Sequence, residues 1–263
     1  DVEALLGLCS QLPFDSFEEA ADHLVGWLEA GQATAEIESR LDQLRAILPF
    51  EWTRTRVAAR NWNAVWESNF QPVVVRDFCG LRAPFHEPMP QVRHEIVIEP
   101  KMAFGTGHHE TTWMMIDRME ALDFAGRRVL DYGCGTGVLA ILAARLGAAA
   151  VVAVDIEEPA WESTLENAAR NGVAAQVQAI HGTLDDVPAD QPFDIILANI
   201  NRNVILDSLA DLHGRLSANG ILLLSGILAD DAAILDEAAR THHFRPVFRN
   251  QRNRWLCLDW RKC

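Results

Sequence analysis

Val129-Leu130-Asp131-Tyr132-Gly133-Cys134-Gly135-Thr136-Gly137-Val138-Leu139 reads as a buried strand that turns through three glycines into a helix. Glycine at such a turn permits backbone angles closed to other residues and lets a ligand approach the main chain. In open α/β sheets the crevice beyond the strand's carboxyl end is where ligands bind. Alone, the turn is also compatible with an ordinary strand-to-helix connection. Asp155 narrows the reading: it ends the next strand, 22 positions after Gly133, where a carboxylate can accept hydrogen bonds from both hydroxyls of a ribose. The pair indicates an adenosine ligand.

Two adenosine cofactors then compete. The spacing is Gly133-x-Gly135-x-Gly137, not the G-x-G-x-x-G of dinucleotide sites, and Asp131 stands just before it. A carboxylate there can face a cationic amino or sulfonium group but would repel a pyrophosphate. S-adenosylmethionine is therefore favoured over a nicotinamide dinucleotide.

Outward from this turn, residues 96–263 alternate strand and helix signals. Strands are expected at Arg128–Tyr132, Ala150–Asp155, Gln176–His181, Asp194–Asn199, Gly220–Ser225, Pro246–Asn250 and Trp255–Trp260, with helices between the first five and after the fifth. Apolar runs such as Val151-Val152-Ala153-Val154 and Ile221-Leu222-Leu223-Leu224 suit parallel strands covered on both faces. Only about four polar residues, Gln251 to Arg254, join the last two strands, which permits a hairpin and no helical crossover. The expected fold class is α/β: a Rossmann-like, mainly parallel sheet with a C-terminal antiparallel hairpin, preceded by a small α+β unit.

That unit, residues 1–58, reads as a helix over Val2–Leu8, a strand near Leu24–Leu28, a helix over Thr34–Leu48 and a strand over Phe50–Ala58. One helix lacks an opening strand, so the unit is read as incomplete, its first strand expected before Asp1. Residues 59–95 read as a linker, with Pro72, Pro84, Pro88 and Pro90 marking an extended connection. Trp62 and Trp66, with Trp52 nearby, either pack the junction between domains or touch substrate.

Composition limits the partners. The chain of 263 residues carries 23 basic against 37 acidic side chains, a net charge of −14, which repels phosphate backbones and attracts a basic protein. Direct nucleic-acid binding is not expected. Five scattered cysteines show no metal or disulfide spacing, and no apolar run approaches the ~20 residues of a membrane span. A cytoplasmic protein with no membrane association and no leader segment is expected.

Upstream lies Glu99-Pro100-Lys101-Met102-Ala103-Phe104-Gly105-Thr106-Gly107-His108-His109-Glu110-Thr111-Thr112. Phe104 can cover a ligand, Gly105 and Gly107 supply flexibility, and Thr106, Thr111 or Thr112 can bond the ligand or cap the following helix. The run His108-His109-Glu110 is not read as a metal site, because adjacent histidines do not share a helical face and H-E-x-x-H is absent. The fourth strand ends at Asn199, whose amide both donates and accepts; it either orients an incoming amine or is a turn residue. No diproline follows it, unlike the Asn-Pro-Pro-aromatic arrangement used on planar amide or adenine nitrogens. Leu184-Asp185-Asp186 after the third strand either contacts an adenine ring or is a solvated acidic loop.

Phe104-Gly105-Thr106-Gly107, Thr111-Thr112, Asp131-x-Gly133-x-Gly135-x-Gly137 and Ala198-Asn199-Ile200, in that order, resemble the ribosomal protein L11 (L-eleven) methyltransferase family. Asn61-Trp62 and Trp66-Glu67 also resemble it; residues 1–58 match in outline, most visibly at Phe14-Asp15-Ser16-Phe17-Glu18-Glu19. The resemblance implies a methyltransferase domain joined by a mobile linker to a small ferredoxin-like domain that holds the ribosomal protein, a component of the large-subunit stalk base. It implies that Thr112, Gly133, Asp155 and Asn199 contact S-adenosylmethionine, with Phe104 and Thr106 in the enclosing loop. Family members often have proline where this chain has Glu110, which affects the path of that loop. The expected reaction is methyl transfer to lysine or α-amino nitrogens, Asn199 acting as the catalytic residue. Rival readings are a methyltransferase of another protein or a small molecule, a noncatalytic nucleotide-sensing module and a dehydrogenase.

Overall fold

The structure is a computed structural model that describes residues 2–10, 12–14, 16–20, 22–28, 35–55, 71–99 and 109–263. The chain divides into two compact units, Asp1–Glu67 and Ser68–Cys263.

In the first unit, helix α1 (Val2–Cys9) is followed by an antiparallel pair, β1 (Ser16–Glu19) with β2 (Leu24–Trp27), and by helix α2 (Ala35–Leu44). The order differs from the expected helix, strand, helix, strand. Strand β1 escapes a periodicity search because Ser16-Phe17-Glu18-Glu19 contains a single apolar residue. No strand forms over 50–55, where the sequence suggests one; 56–58 lie outside the described residues. Trp52 is half-buried there and donates its indole N–H to Asp42 at 3.1 Å, while Trp62 and Trp66 lie outside the described residues.

The second unit opens where the sequence suggests an extended connection over 59–95. Residues 73–97 instead form a three-stranded sheet, β3 (Val73–Val75), β4 (Cys79–Arg82) and β5 (His94–Val97), with β4 antiparallel to β3 and parallel to β5. The prolines at 84, 88 and 90 fall in the β4 to β5 crossover, where no ladder N–H is needed. Arg82 closes that crossover through Glu95 at 2.9 Å.

The remainder is a seven-stranded sheet in the order β11-β12-β10-β9-β6-β7-β8. Its members are β6 (Arg128–Tyr132), β7 (Ala150–Asp155), β8 (Val177–His181), β9 (Phe193–Asn199), β10 (Leu216–Leu228), β11 (Phe244–Arg252) and β12 (Trp255–Lys262). Helix α3 (Glu110–Met119) precedes the sheet, and α4 (Val138–Arg145), α5 (Glu158–Arg170), α6 (Arg202–Arg215) and α7 (Ala232–Thr241) follow β6, β7, β9 and β10; between β8 and β9, where the sequence suggests a further helix, only a 3-10 turn (Leu184–Asp186) forms. Strands β6 to β10 pair in parallel; β12 runs antiparallel between β10 and β11. The expected mainly parallel sheet with its terminal hairpin is thus present. The hairpin turn is tighter than expected: Arg252 pairs with Trp255, so only Asn253 and Arg254 turn, and Asn253 takes φ 52°.

Alternating residues cover the two faces of this sheet. Val129, Val151, Ile195, Leu197, Leu223 and Cys257 pack under α3 and α4, while Leu130, Val152, Ile196, Leu222, Leu258 and Trp260 pack on the other side with α6 and α7. Successive strands leave β6 first toward β7 and β8, then return to β9 on its other flank. The switch point therefore lies at the carboxyl ends of β6 and β9.

Helix α3 is pinned to the sheet by a buried charge. Asp259 of β12 is fully buried and accepts two hydrogen bonds from Arg118, at 3.1 and 2.6 Å, while the guanidinium stacks over Phe248 at 4.3 Å. Asp259→Asn leaves that guanidinium without its carboxylate and is expected to lower the unfolding free energy by about 3 kcal/mol in urea titration. A loss within experimental error would show that the pair does not hold α3.

Candidate active site

The turn after β6 carries positive φ at Gly133 (75°), Gly135 (55°) and Gly137 (78°). A Cβ at Gly133 would stand 2.2 Å from Ile200 Cγ2, so both backbone angle and space demand glycine. Gly137 is the N-cap of α4 and offers no side-chain cap. The carboxylate of Asp131 replaces it: Ala140 N–H donates to Asp131 Oδ2 at 3.0 Å, placing an anion at the helix N-terminus.

Asp131 is buried at 1% exposure, and its second oxygen has no partner among the described residues. Burial pushes this carboxyl up to about 7; the Ala140 N–H opposes the rise and the Asp155 charge adds to it. Such an oxygen is suited to a cation, whose arrival would restore the ionised form.

Strand register puts the other polar residues on the same face. Asp131 pairs with Ala153 of β7 and Leu197 of β9, so Asp155 and Asn199, each two residues further, share its side of the sheet. Asp155 is fixed by two backbone donors, Gly135 N–H at 2.9 Å and Glu157 N–H at 3.0 Å. A carboxylate has about four acceptor positions, so two remain for hydroxyl donors. The next residue, Ile156, is 65% exposed and presents an apolar surface beside that carboxylate. Sequence reading missed it; the available signal was an apolar residue following the acid at a strand end.

Asn199 Nδ2 donates to Thr112 Oγ1 at 3.2 Å, and Asn199 Oδ1 is buried without a partner among the described residues. Thr112 is itself fully buried near the start of α3. That helix is capped by His109, not by a threonine: His109 Nδ1 accepts the Thr111 N–H at 3.3 Å and lies 2.8 Å from Thr111 Oγ1. A ring nitrogen accepting that N–H takes the hydroxyl proton as well, making Thr111 the donor. Glu110 accepts from Asn253 Nδ2 at 2.8 Å, tying α3 to the hairpin turn. Gly226 (φ 84°) lets β10 pass beneath Ile200, whose carbonyl oxygen would be 2.3 Å from a Cβ there. Nothing in the spacing of Gly226 announces this contact.

Of the residues expected at the site, Thr112, Asp131, Gly133, Gly135, Asp155 and Asn199 lie together at the carboxyl edge of β6, β7 and β9. Phe104, Gly105, Thr106 and Gly107 lie outside the described residues. In the loop after β8, Asp186 is committed to a capping box with Thr183, and Asp185 is exposed. A cavity of about 290 Å³ at the opposite, amino edge is lined by Asp123, Arg127, Asp194 and Ser217. There Arg127 pairs with Asp123 and Asp194, both at 3.7 Å, so the charges answer one another; at the carboxyl edge two buried oxygens face no protein partner among the described residues. The carboxyl edge therefore carries hydrogen-bonding capacity that the described residues leave unmet.

The donor set fits S-adenosylmethionine: a buried carboxylate oxygen with no partner among the described residues for a cationic group, a braced carboxylate for ribose hydroxyls and a glycine turn between them. An acid whose folded pKa exceeds its unfolded value binds more protons when folded. Its contribution to stability is greatest below the unfolded value of 3.8 and is lost as pH rises through about 7. Without ligand, Asp131→Asn should therefore gain on the wild-type protein as pH rises from 5 to 8, measured by urea denaturation. A pH-independent difference between the two proteins would contradict the assignment.

Known proteins resemble this chain in sequence and in fold. The family model described as ribosomal protein L11 methyltransferase (PrmA) matches residues 15–263. The ribosomal protein L11 methyltransferase of Porphyromonas gingivalis is 41% identical over 256 residues, covering 95% of this chain and 87% of that protein. The protein of the same name from Symbiobacterium thermophilum is 38% identical over 245 residues, 89% and 78% of the two chains. The crystal structure of ribosomal protein L11 methylase from Lactobacillus delbrueckii subsp. bulgaricus superposes with TM-score 0.67 at 29% identity, covering 73% of this chain and 99% of that one.

Proposed function

The chain belongs to the ribosomal protein L11 methyltransferase family, and from that premise we propose that its carboxyl-edge cleft presents S-adenosylmethionine to amines of the large-subunit stalk-base protein L11. The protein is an S-adenosylmethionine-dependent methyltransferase with a Rossmann-like fold. The observation that carries the finer reading is the Asn199 amide, which directs an N–H to Thr112 and keeps on the Asp131 face of the sheet a buried acceptor with no partner among the described residues.

In this reading Asp131 Oδ1 faces the ammonium of the cofactor, Asp155 receives the ribose hydroxyls and Ile156 lies against the adenine. The cofactor supplies a methyl group already activated by sulfonium, so the chain's task is alignment and exclusion of water. Asn199 Oδ1 accepts a hydrogen bond from the incoming amine and thereby aims its lone pair. Thr112 Oγ1 accepts from the nitrogen end of that amide. A free lysine, with pKa near 10.4, is mostly protonated at pH 7 and has no lone pair to give; a water-poor site favours its neutral form. Asn199 cannot take that proton, so the amine must shed it before attack. The net charge of −14 suits a basic acceptor protein and disfavours direct nucleic-acid binding. The first unit is assigned to acceptor recognition in a ferredoxin-like arrangement, and the protein to the cytoplasm. No helix among the described residues is long and apolar enough to cross a membrane.

Asn199→Ala is expected to reduce turnover about 10²-fold, the scale of a misplaced reactant, with little change in S-adenosylhomocysteine affinity by calorimetry. Unchanged turnover removes Asn199 from the mechanism. Asp155→Ala should instead weaken that affinity by roughly ten- to a hundredfold, as loss of charged hydrogen bonds implies; unaltered affinity contradicts the ribose role. Labelled S-adenosylmethionine incubated with separated ribosomal proteins should mark L11, and label confined to another protein would overturn the acceptor.

A further inference from the structure

Two successive carbonyls of the glycine turn point away from the cleft into helix α5. Gly135 O accepts from Thr164 Oγ1 at 3.0 Å, and Thr136 O accepts from Asn167 Nδ2 at 3.0 Å. Asn167 is fully buried, and its other amide atom reaches a different element: Glu99 N–H donates to Asn167 Oδ1 at 2.9 Å. A carbonyl can only accept and an N–H can only donate, so this pair of partners fixes which way the amide faces. Glu99 is joined to the same helix again by Arg170, at 2.6 Å. It follows β5 and begins the Glu99–Thr112 segment expected to enclose the ligand.

Asparagine is a poor choice for a buried helix interior unless its hydrogen bonds are needed, since leucine would favour both the helix and burial. One turn later, Asn171 is a natural control. It is also buried and holds the end of β5, two residues before Glu99, through Val97 N–H at 2.9 Å and Val97 O at 2.7 Å, yet it has no bond to the glycine turn among the described residues.

We propose that Asn167 is a positioning residue for cofactor binding, its single amide locking the Thr136 carbonyl of the cofactor turn and the Glu99 backbone into one unit so that cofactor binding tightens both. The inference rests on the reading of the carboxyl-edge cleft as the S-adenosylmethionine site. With the turn's carbonyl released, the peptide can rotate and present its negative end toward the cleft, and Glu99 loses its reference to the turn. Cofactor affinity carries the effect, and the reaction of a fully loaded enzyme does not.

The test compares Asn167→Leu with Asn171→Leu in the full chain. Asn167→Leu should weaken S-adenosylhomocysteine binding tenfold or more and raise the cofactor KM similarly, with kcat at saturating cofactor within threefold of wild type. Asn171→Leu should lower the melting temperature yet leave that affinity within twofold. Equal losses of affinity in the two variants, or no loss in Asn167→Leu, would overturn the proposal. The wild-type protein gives a reading that does not depend on either variant folding: S-adenosylhomocysteine should slow amide exchange at Glu99 at least tenfold, and an unchanged rate would also overturn it. A wild-type protein that fails to bind S-adenosylhomocysteine at all would remove the cofactor reading and this inference with it.

Discussion

The chain must leave β6 and enter α4 through three left-handed residues, and at the first of them there is no room for a Cβ beneath Ile200. The rest of the site is arranged around that constraint. It leaves α4 without a conventional N-cap, and Asp131 reaches forward from the strand to supply one. The carboxylate is thereby held in the interior at the switch point of the sheet, where burial alone would keep it protonated near neutrality. A charge kept in so costly a place is stable as an anion only when a cation answers it. Fold and ligand preference thus derive from one turn.

Register then does the assembling. Because paired residues of neighbouring strands point to the same side, a carboxylate two positions beyond Ala153 and an amide two positions beyond Leu197 arrive on the face that Asp131 already occupies. These groups come from separate segments of sequence, yet none needs a loop to bring it into place. Rigid strands hold Asp155 and Asn199, the groups proposed to bind ribose and orient the amine, and the helices on that face, α3 and α4, supply Thr112 and the capped N-terminus.

Much of this arrangement is legible in the sequence because it is local. The glycine spacing, Asp155 at a strand end and the uninterrupted apolar runs each state their structural role within a few residues, and the hairpin is dictated by too few residues for a crossover. Harder to read are features defined by distant partners. The β3 to β5 sheet is built from three- and four-residue strands, two of them separated by a proline-bearing crossover, too short for a period to register. The cap of α3 escapes sequence reading because a histidine takes the role usually given to serine or threonine. Gly226 and Asn167 look ordinary in sequence; only their neighbours in space, Ile200 and the pair Thr136 and Glu99, give them meaning.

The central claim is that a buried carboxylate and a braced one, on a single face of the sheet, hold S-adenosylmethionine between them. A crystal structure of the complex with S-adenosylhomocysteine tests it most directly. The account predicts the ligand's ammonium within hydrogen-bond reach of Asp131 Oδ1 and its ribose hydroxyls on Asp155, with the sulfur toward Asn199. A ligand seated at the amino edge of the sheet, or at the carboxyl edge with neither carboxylate in contact, would contradict it.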